Sequence, residues 1–544
     1  MSEPMPSAPV ALLSLPRELT LAAAVPLFGP APGVLLAGAD PEVVLRADLD
    51  RALGLGLGEE TLESIARADV PRWHACSAAG GERPPPGTAL GWVLVETSAG
   101  GLGLARGAVE MVPARRLDER AMGRLLPPSA LDVLADVGRF AAARGREVFA
   151  VGGLVRDLAL GLPFQEMDLD LVADGDAIGL ARAWGAARGH AVRAHPAFGT
   201  AKCSALGAIE VDLASMRRER YSSPGALPAV EPGALLDDLH RRDFTANALA
   251  LSLAPGAFGA VVDPFDGWGD LERRVLRVHH PLSFVDDPTR LLRSARYRAR
   301  LGLAPDAGHD RARALALRAG VVSAVSGVRL LADLVRIFLE ADPVGALSVL
   351  AAEGVLGAIH PALEDWRRGF ERLAEIRRIA VTWPEPIPSV DAAIPTLTAL
   401  MWDWDALRIE SVRRRLQPPG RAGARLEHEI PRARAIAARL GNQHAPRASE
   451  VHRLLERVPD ALLVPIAALG GPAAASAVRR FVETSRHVVI STSGADLLAL
   501  GFERGPILGR IQARLRTARL DGEVHDGESE LALVRREFLA DDPS

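Results

Sequence analysis

An apolar run, Val148-Phe149-Ala150-Val151, passes directly into Gly152-Gly153 and then into a helical pattern carrying Arg156 and Asp157. A second strand-like run, Asp168-Leu169-Asp170-Leu171-Val172, follows soon after. No other feature constrains the fold as much, because a strand that ends in glycines and opens a helix needs a sheet with helices packed on it. The same stretch carries chemistry. Glycine lets backbone approach a phosphate closely, and a helix N-terminus presents unpaired N–H groups at its positive end. Arg156 lies on the first turn beside that position. Residues i and i+2 of a strand share a face, so Asp168 and Asp170 present two carboxylates about 7 Å apart. Such a pair repels unless a cation lies between its members, and hard oxygen ligands select Mg²⁺ or Mn²⁺. Two such ions would clamp the attacking and leaving oxygens of an in-line phosphoryl displacement.

Residues 200–206 and 208–214 flank Gly207 and predict a tight hairpin. Its second strand holds Glu210 and Asp212 at one parity, and one of them joins the first pair if the strands are neighbours. Asp212 is preferred, because Leu213-Ala214-Ser215 and the basic stretch 217–221 follow it. In Arg241-Arg242-Asp243-Phe244-Thr245-Ala246-Asn247, a helix would put Asp243 and Asn247 on one face, within reach of ribose hydroxyls, and Arg242 on a triphosphate. Asp287, Arg290, Arg293 and Arg296 are spaced by three, which predicts one slowly drifting helix face. An Asp/Arg pair there offers an acceptor and a planar donor fork, enough to read the Watson–Crick edge of a base. The alternative for this basic segment is an amphipathic surface helix.

Ser129 is placed to cap a helix over 130–144, and past Asp286 the pattern is almost wholly helical to the C-terminus. A chain of 544 residues, 48% hydrophobic and 24% charged, buries several cores and is not disordered. It has no apolar run long enough for a membrane span, and its first residues lack the basic region of a secretory signal. The two cysteines, Cys76 and Cys203, cannot form a disulfide framework, which predicts a reducing, cytoplasmic setting. A net charge of −4 argues against wholesale coating of nucleic acid but leaves room for a local basic groove. Lys202 is the only lysine; every other base is arginine, read here as genome composition. His309-Asp310 lacks the further ligands of a metal phosphohydrolase, and 426–432 lacks the second histidine of a zinc protease.

Taken in order, the 152–157 turn, the Asp168/Asp170 pair, Val211-Asp212 ahead of Glu219-Arg220-Tyr221, 241–247, 263–270 and 286–296 resemble the class II tRNA nucleotidyltransferase and bacterial poly(A) polymerase family. The resemblance is strong over about 147–303 and returns at 493–509, which is similar to the family's tail segment. It implies an α+β fold. A nucleotidyltransferase-type mixed β-sheet head with helices (128–270) would follow a small α/β N-terminal extension (1–127) and precede an all-helical neck (271–345), body (346–460) and RNA-binding tail (461–544). Residues 43–54 resemble the end of a CBS-type module, read as degenerate and structural. The resemblance further implies that Asp168 and Asp170 bind two Mg²⁺ ions, with Asp212 as the third catalytic carboxylate. Gly152, Gly153, Arg156 and Asp157 would hold the triphosphate turn, and Arg242, Asp243 and Asn247 would touch phosphate and ribose. Asp287 and Arg290 would pair with the base of CTP or ATP, with Arg293 and Arg296 lining the pocket or the RNA path. The implied activity is template-independent addition of C and/or A to the 3′ end of tRNA or another RNA. The alternatives are an A-adding enzyme or poly(A) polymerase and, in a different class, a catalytically silent RNA-binding or nucleotide-sensing protein. Two departures stand out: Asp286 where the family has Glu, and Val328 and Asp333 in a stretch where it has Glu-Arg and a later Glu.

Overall fold

The computed structural model describes residues 10–539 apart from 29–30, 32, 38–41, 68–71, 74–91, 97–101, 107–112, 165–167, 205–208, 385–390, 392 and 443–445. Cys76, the loop at 83–87 and Gly207 lie outside the described residues. The chain divides into two compact units, one ending at Val325 and the other starting at Ser326. That division falls inside the stretch expected to form one neck.

The first unit is built on an eight-stranded mixed sheet. Its strands in chain order are β1 (Pro113–Arg116), β2 (Val148–Val151), β3 (Asp168–Ala173), β4 (Ala191–His195), β5 (Thr200–Ser204), β6 (Glu210–Ser215), β7 (Ala250–Ser252) and β8 (Ala260–Val262). Across the sheet they run β4-β5-β6-β3-β2-β7-β8-β1. The β3/β6 pair is parallel and the other pairs are antiparallel. β1 comes from the region expected to be a separate extension, so the head sheet recruits its edge from upstream of Pro128. β2 reads as a solid apolar run because all four of its residues are buried, as befits a strand covered on both faces. β3 instead starts with alternation, Asp168 and Asp170 exposed and Leu169 buried, before it too becomes fully buried.

The helix ahead of β2 spans Pro128–Ala142 and has Pro127 as its N-cap, with no side-chain cap. Ser129 is therefore not the cap. Pro128 occupies the first helical position, where its fixed φ and missing N–H cost nothing. In chain order, the elements that matter for the site are α1 (Arg46–Gly54), α2 (Gly153–Ala159), α3 (Leu235–His240), α4 (Ser283–Asp286), α5 (Thr289–Leu301) and α6 (Ala307–Arg318). Upstream, Ser14–Leu15, Gly33–Leu36 and Val43–Leu45 form a three-stranded sheet.

Two expectations about helices are corrected. Segment 241–247 is not one helix: α3 ends at His240, Phe244 is extended, and only Thr245–Asn247 forms a 3₁₀ turn. Phe244 is fully buried against the rings of Phe284, Tyr297 and His309, and that packing overrides helical continuation. Asp287 is not on the helix face of Arg290, Arg293 and Arg296, because α5 begins only at Thr289. Pro288 clashes with an α conformation in the preceding residue, and Asp287 sits at φ −130°, ψ 91°.

The second unit is helical. Arg367–Val381, Ile394–Met401, Leu426–Asn442, Asp460–Leu469 and Gly471–Glu483 pack on one another. Farther on, Leu497, Ile511, Leu515, Leu533 and Val534 make a small separate core. The 493–496 segment is explained locally: Ser493 and Asp496 cap their helix reciprocally. No helix among the described residues is long and apolar enough to cross a membrane.

Candidate active site

The register of the sheet assembles the carboxylates. Parallel pairing sets Asp168 beside Glu210 and Asp170 beside Asp212. On the other side of β6, antiparallel β5 sets Lys202 beside Asp212. Asp170, Asp212 and Lys202 thus form a lateral row on one face, on strands about 4.8 Å apart. The Lys202 Nζ lies 2.5 Å from Glu210 Oε2, 3.5 Å from Asp168 Oδ1 and 3.7 Å from Asp212 Oδ2. Partial burial pushes the Asp212 carboxyl above its ordinary value; Asp168 and Glu210 add to the shift and Lys202 opposes it.

A 470 Å³ cavity opens over this row, walled by Asp170, Lys202, Asp212, Arg217, Arg241 and Arg242. Arg241 and Arg242 both bond to the buried Asp238, at 2.8 and 2.9 Å. Burial alone would raise Asp238, but the Arg242 and Arg241 charges hold it below the usual carboxylate range. Arg242 also has a buried Nε–H without a partner. The strand–helix turn closes the site. Gly152 sits at φ 72°, and a Cβ there would come within 3.1 Å of Arg242 Nη1 and 3.8 Å of Asp170 Oδ2. The glycine is needed both for its conformation and for this close approach.

The remaining expected residues form a second, buried network. Arg156 donates to Asp157 Oδ1 at 2.7 Å and to Asn247 Oδ1 at 2.9 Å, and Asn247 donates to Asp243 Oδ1 at 2.8 Å. Arg293 links Asp243, at 3.5 Å, to Asp287, at 3.0 Å. Asp287 also accepts from the Thr289 hydroxyl at 2.6 Å. Arg290 is bonded to Ser283 Oγ at 2.6 Å and to the Arg241 carbonyl at 2.8 Å, and retains a buried, unpartnered Nε–H. Arg296 lies beside the Tyr297 ring. Gly152, Arg242, Asp168, Asp170 and Asp212 therefore come together as expected. Arg156 does not line the carboxylate cavity, and Asp287 and Arg290 meet through the backbone, where the Arg290 N–H donates to the Asp287 carbonyl at 3.0 Å. Sequence reasoning did not assign Lys202, Arg217 or Arg241 to the site. The available signal was Lys202 itself, a single lysine at the parity of the site strands.

The donor set suits a hard divalent cation: carboxylate oxygens on one face with a positive charge already drawn among them. Among the described residues, no three His, Cys, Asp or Glu side chains converge tightly enough to hold a metal as they stand. Lys202 lies between them instead. Elsewhere, His309 is fully buried and bonded to Ser294 Oγ at 2.7 Å, a core role rather than a metal site.

Residues 148–277 match the family model of the poly A polymerase head domain. The chain is 33% identical to an A-adding tRNA nucleotidyltransferase of Geobacter sulfurreducens over 79% of its own length, and spans half of that relative. It is 31% identical to a CC-adding tRNA nucleotidyltransferase of Deinococcus radiodurans, over 75% of its own length and 94% of the relative's. Among solved structures, the Thermotoga maritima CCA-adding enzyme complexed with tRNA is 25% identical with a TM-score of 0.57, over 78% of this chain and 99% of that one. Sheet register, glycine turn and relatives agree, and the chain belongs to the class II tRNA nucleotidyltransferase family.

Proposed function

We propose that this protein adds C and A residues to the 3′ end of tRNA without a nucleic-acid template, using CTP and ATP. The observation that carries this is the row Asp170, Asp212 and Lys202 with Arg241 and Arg242 across one cavity: acceptors for cations on one wall, donors for phosphates on the other. The RNA 3′-hydroxyl oxygen attacks the α-phosphorus of the incoming nucleotide. A new P–O bond forms, the bond to the β-phosphate breaks, pyrophosphate leaves, and the hydroxyl proton passes to solvent. Mg²⁺ held by Asp168, Asp170 and Asp212 would supply charge neutralisation and a lowered pKa for that hydroxyl. Arg242 and Arg241, held by Asp238, receive the triphosphate and stabilise the departing pyrophosphate. The Gly152 turn lets backbone N–H groups approach the same phosphates. Asp287 and Arg290 read the base, exchanging bonds to Thr289, Arg293 and Ser283 for bonds to its edge. Arg156, Asp243 and Asn247 hold this reading element and the ribose.

A-only addition is the second reading, favoured by the A-adding relative in Geobacter. The test is extension of tRNA transcripts ending before CCA or after CC, with Mg²⁺ and CTP, ATP or both, resolved at single-nucleotide length. Two C additions completed by one A establish full CCA addition. A transfer confined to the CC-ended transcript establishes A-only addition. A long A ladder identifies a poly(A) polymerase, and no incorporation by folded protein rejects the proposal.

A further inference from the structure

The carboxylate of Asp286 is buried, 2% exposed, and immediately precedes the base-reading Asp287. Its Oδ2 is paired with the guanidinium of Arg51, which arrives from α1, well outside the head sheet. His280 Nε2 lies 3.5 Å from the same oxygen, and Oδ1 has no hydrogen-bond partner among the described residues. Burial pushes Asp286 up to about 6, while the charges of Arg51 and Arg290 oppose that shift. Burial also pushes His280 well below its ordinary value, so the imidazole is neutral and Arg51 is the cation bonded to Asp286.

The approach of Arg51 is built rather than incidental. On the same helix, Asp48 grips Arg67 with both oxygens, at 2.5 and 3.0 Å, and Arg67 in turn donates to the His279 carbonyl at 3.2 Å. Glu42 pairs with Arg311 of α6 at 2.9 Å, and Glu60 with Arg318 at 2.8 Å. These links fix the N-terminal module onto the segments flanking α4 and α5. Arg51 itself remains 39% exposed along its side chain, and its head reaches inward to a carboxylate that is 2% exposed.

We infer that Arg51 is a positioning residue for nucleotide selection: by neutralising Asp286 it leaves Arg290 available to the incoming base. This rests on the base-reading role of Asp287 and Arg290 proposed above. Without Arg51, Asp286 loses the larger of the two cationic charges that oppose its burial, and Arg290 is the one that remains. A buried carboxylate needs a counter-charge or a proton, so at a pH above its raised value Asp286 would draw Arg290 off Ser283 and away from the base.

The test uses the full chain at alkaline pH, where Asp286 is ionised, with CTP, ATP, GTP and UTP as probes, read by equilibrium binding and by steady-state extension. Arg51→Met is expected to raise the KM and Kd for the accepted nucleotide on the order of tenfold. It should leave kcat within about threefold and narrow the preference over GTP and UTP. Arg51→Lys should restore part of the loss. Adding Asp286→Asn to Arg51→Met should restore most of it, because the unpaired charge is gone; that background also serves if Arg51→Met alone folds poorly. If Arg51→Met lowers only the thermal midpoint, with KM and discrimination unchanged, or if Asp286→Asn gives no rescue, the inference fails. A wild-type chain that binds and incorporates no nucleotide overturns the proposed function itself, and this inference with it.

Discussion

Asp168 and Asp170 are half exposed and make no contribution to the apolar core, so their replacement tests chemistry apart from folding. Asp168→Ala or Asp170→Ala is expected to reduce nucleotide incorporation at least about 100-fold, the scale of losing a positioned charge at a reacting centre. The metal-free thermal midpoint should stay the same or rise, since one of several crowded carboxylates is removed. Near-normal incorporation by either variant would reject their role. Lys202 gives a sharper test. Its ammonium sits among Asp168, Glu210 and Asp212, and so competes with any cation entering there. Lys202→Met should lower the Mg²⁺ concentration that half-saturates thermal stabilisation by about fivefold, whereas Lys202→Arg keeps the charge and should not. An unchanged metal titration in Lys202→Met would show that the lysine does not compete. The carboxylates were legible from strand parity, because period-two geometry is local. Lys202 was not, because its partners arrive through lateral strand register, and in the sequence it stood out only as a count.

Elements show where local rules hold and where packing overrides them. The glycine turn was legible because its requirement is local: Gly152 holds φ 72°, ψ −134°, which L side chains rarely adopt, and a Cβ there would press on Arg242 Nη1 at 3.1 Å. Gly152→Ala should cost about 1–3 kcal/mol of stability and raise the KM for nucleotide, measured by thermal unfolding and by extension kinetics. A variant with wild-type stability and KM would contradict the account of this turn. The reading element was less legible. Spacing by three suggested one helix face for Asp287, Arg290, Arg293 and Arg296, but the Asp287-Pro288 bond takes Asp287 out of the helix. Its carboxylate then accepts from the backbone N–H and hydroxyl of Thr289, the first residue of α5. Similarly, Asp243 and Asn247 do meet, but through a 3₁₀ turn formed after Phe244 enters the aromatic core, not along a helix. The contact was foreseeable; the backbone path was decided by a distant cluster.

On the scale of the whole molecule, acid sensitivity should concentrate in the unit ending at Val325. His240, His279 and His280 lie together there, their rings within 6 Å of His240. Burial, reinforced by neighbouring arginines, pushes His240 down to about 4 and the other two well below their ordinary value. These histidines fold neutral and take up protons on unfolding below about pH 6.5. Stability is therefore complete above that pH and falls as the pH drops toward 4, by up to about 1.4 kcal/mol per pH unit for each group. Asp286 acts in the opposite sense. With its folded value at about 6, it holds a proton in the folded state between pH 6 and 4 and offsets one of the three. Raised Asp212 and Asp263 act in the same sense as Asp286, lowered Asp136 and Asp238 act with the histidines, and the three deeply buried histidines tip the balance to a net loss. In the unit from Ser326 onward, His360 and His452 are lowered too, but neither is deeply buried, so solvent weakens their effect. Thermal unfolding from pH 7.5 to 4.5, combined with limited proteolysis at each pH, should show cleavage within residues 10–325 advancing first on acidification. Asp286→Asn removes the offsetting proton and should steepen the fall. Equal acid sensitivity in both units, or a stability that rises toward pH 5, would show that the three histidines are charged in the folded protein.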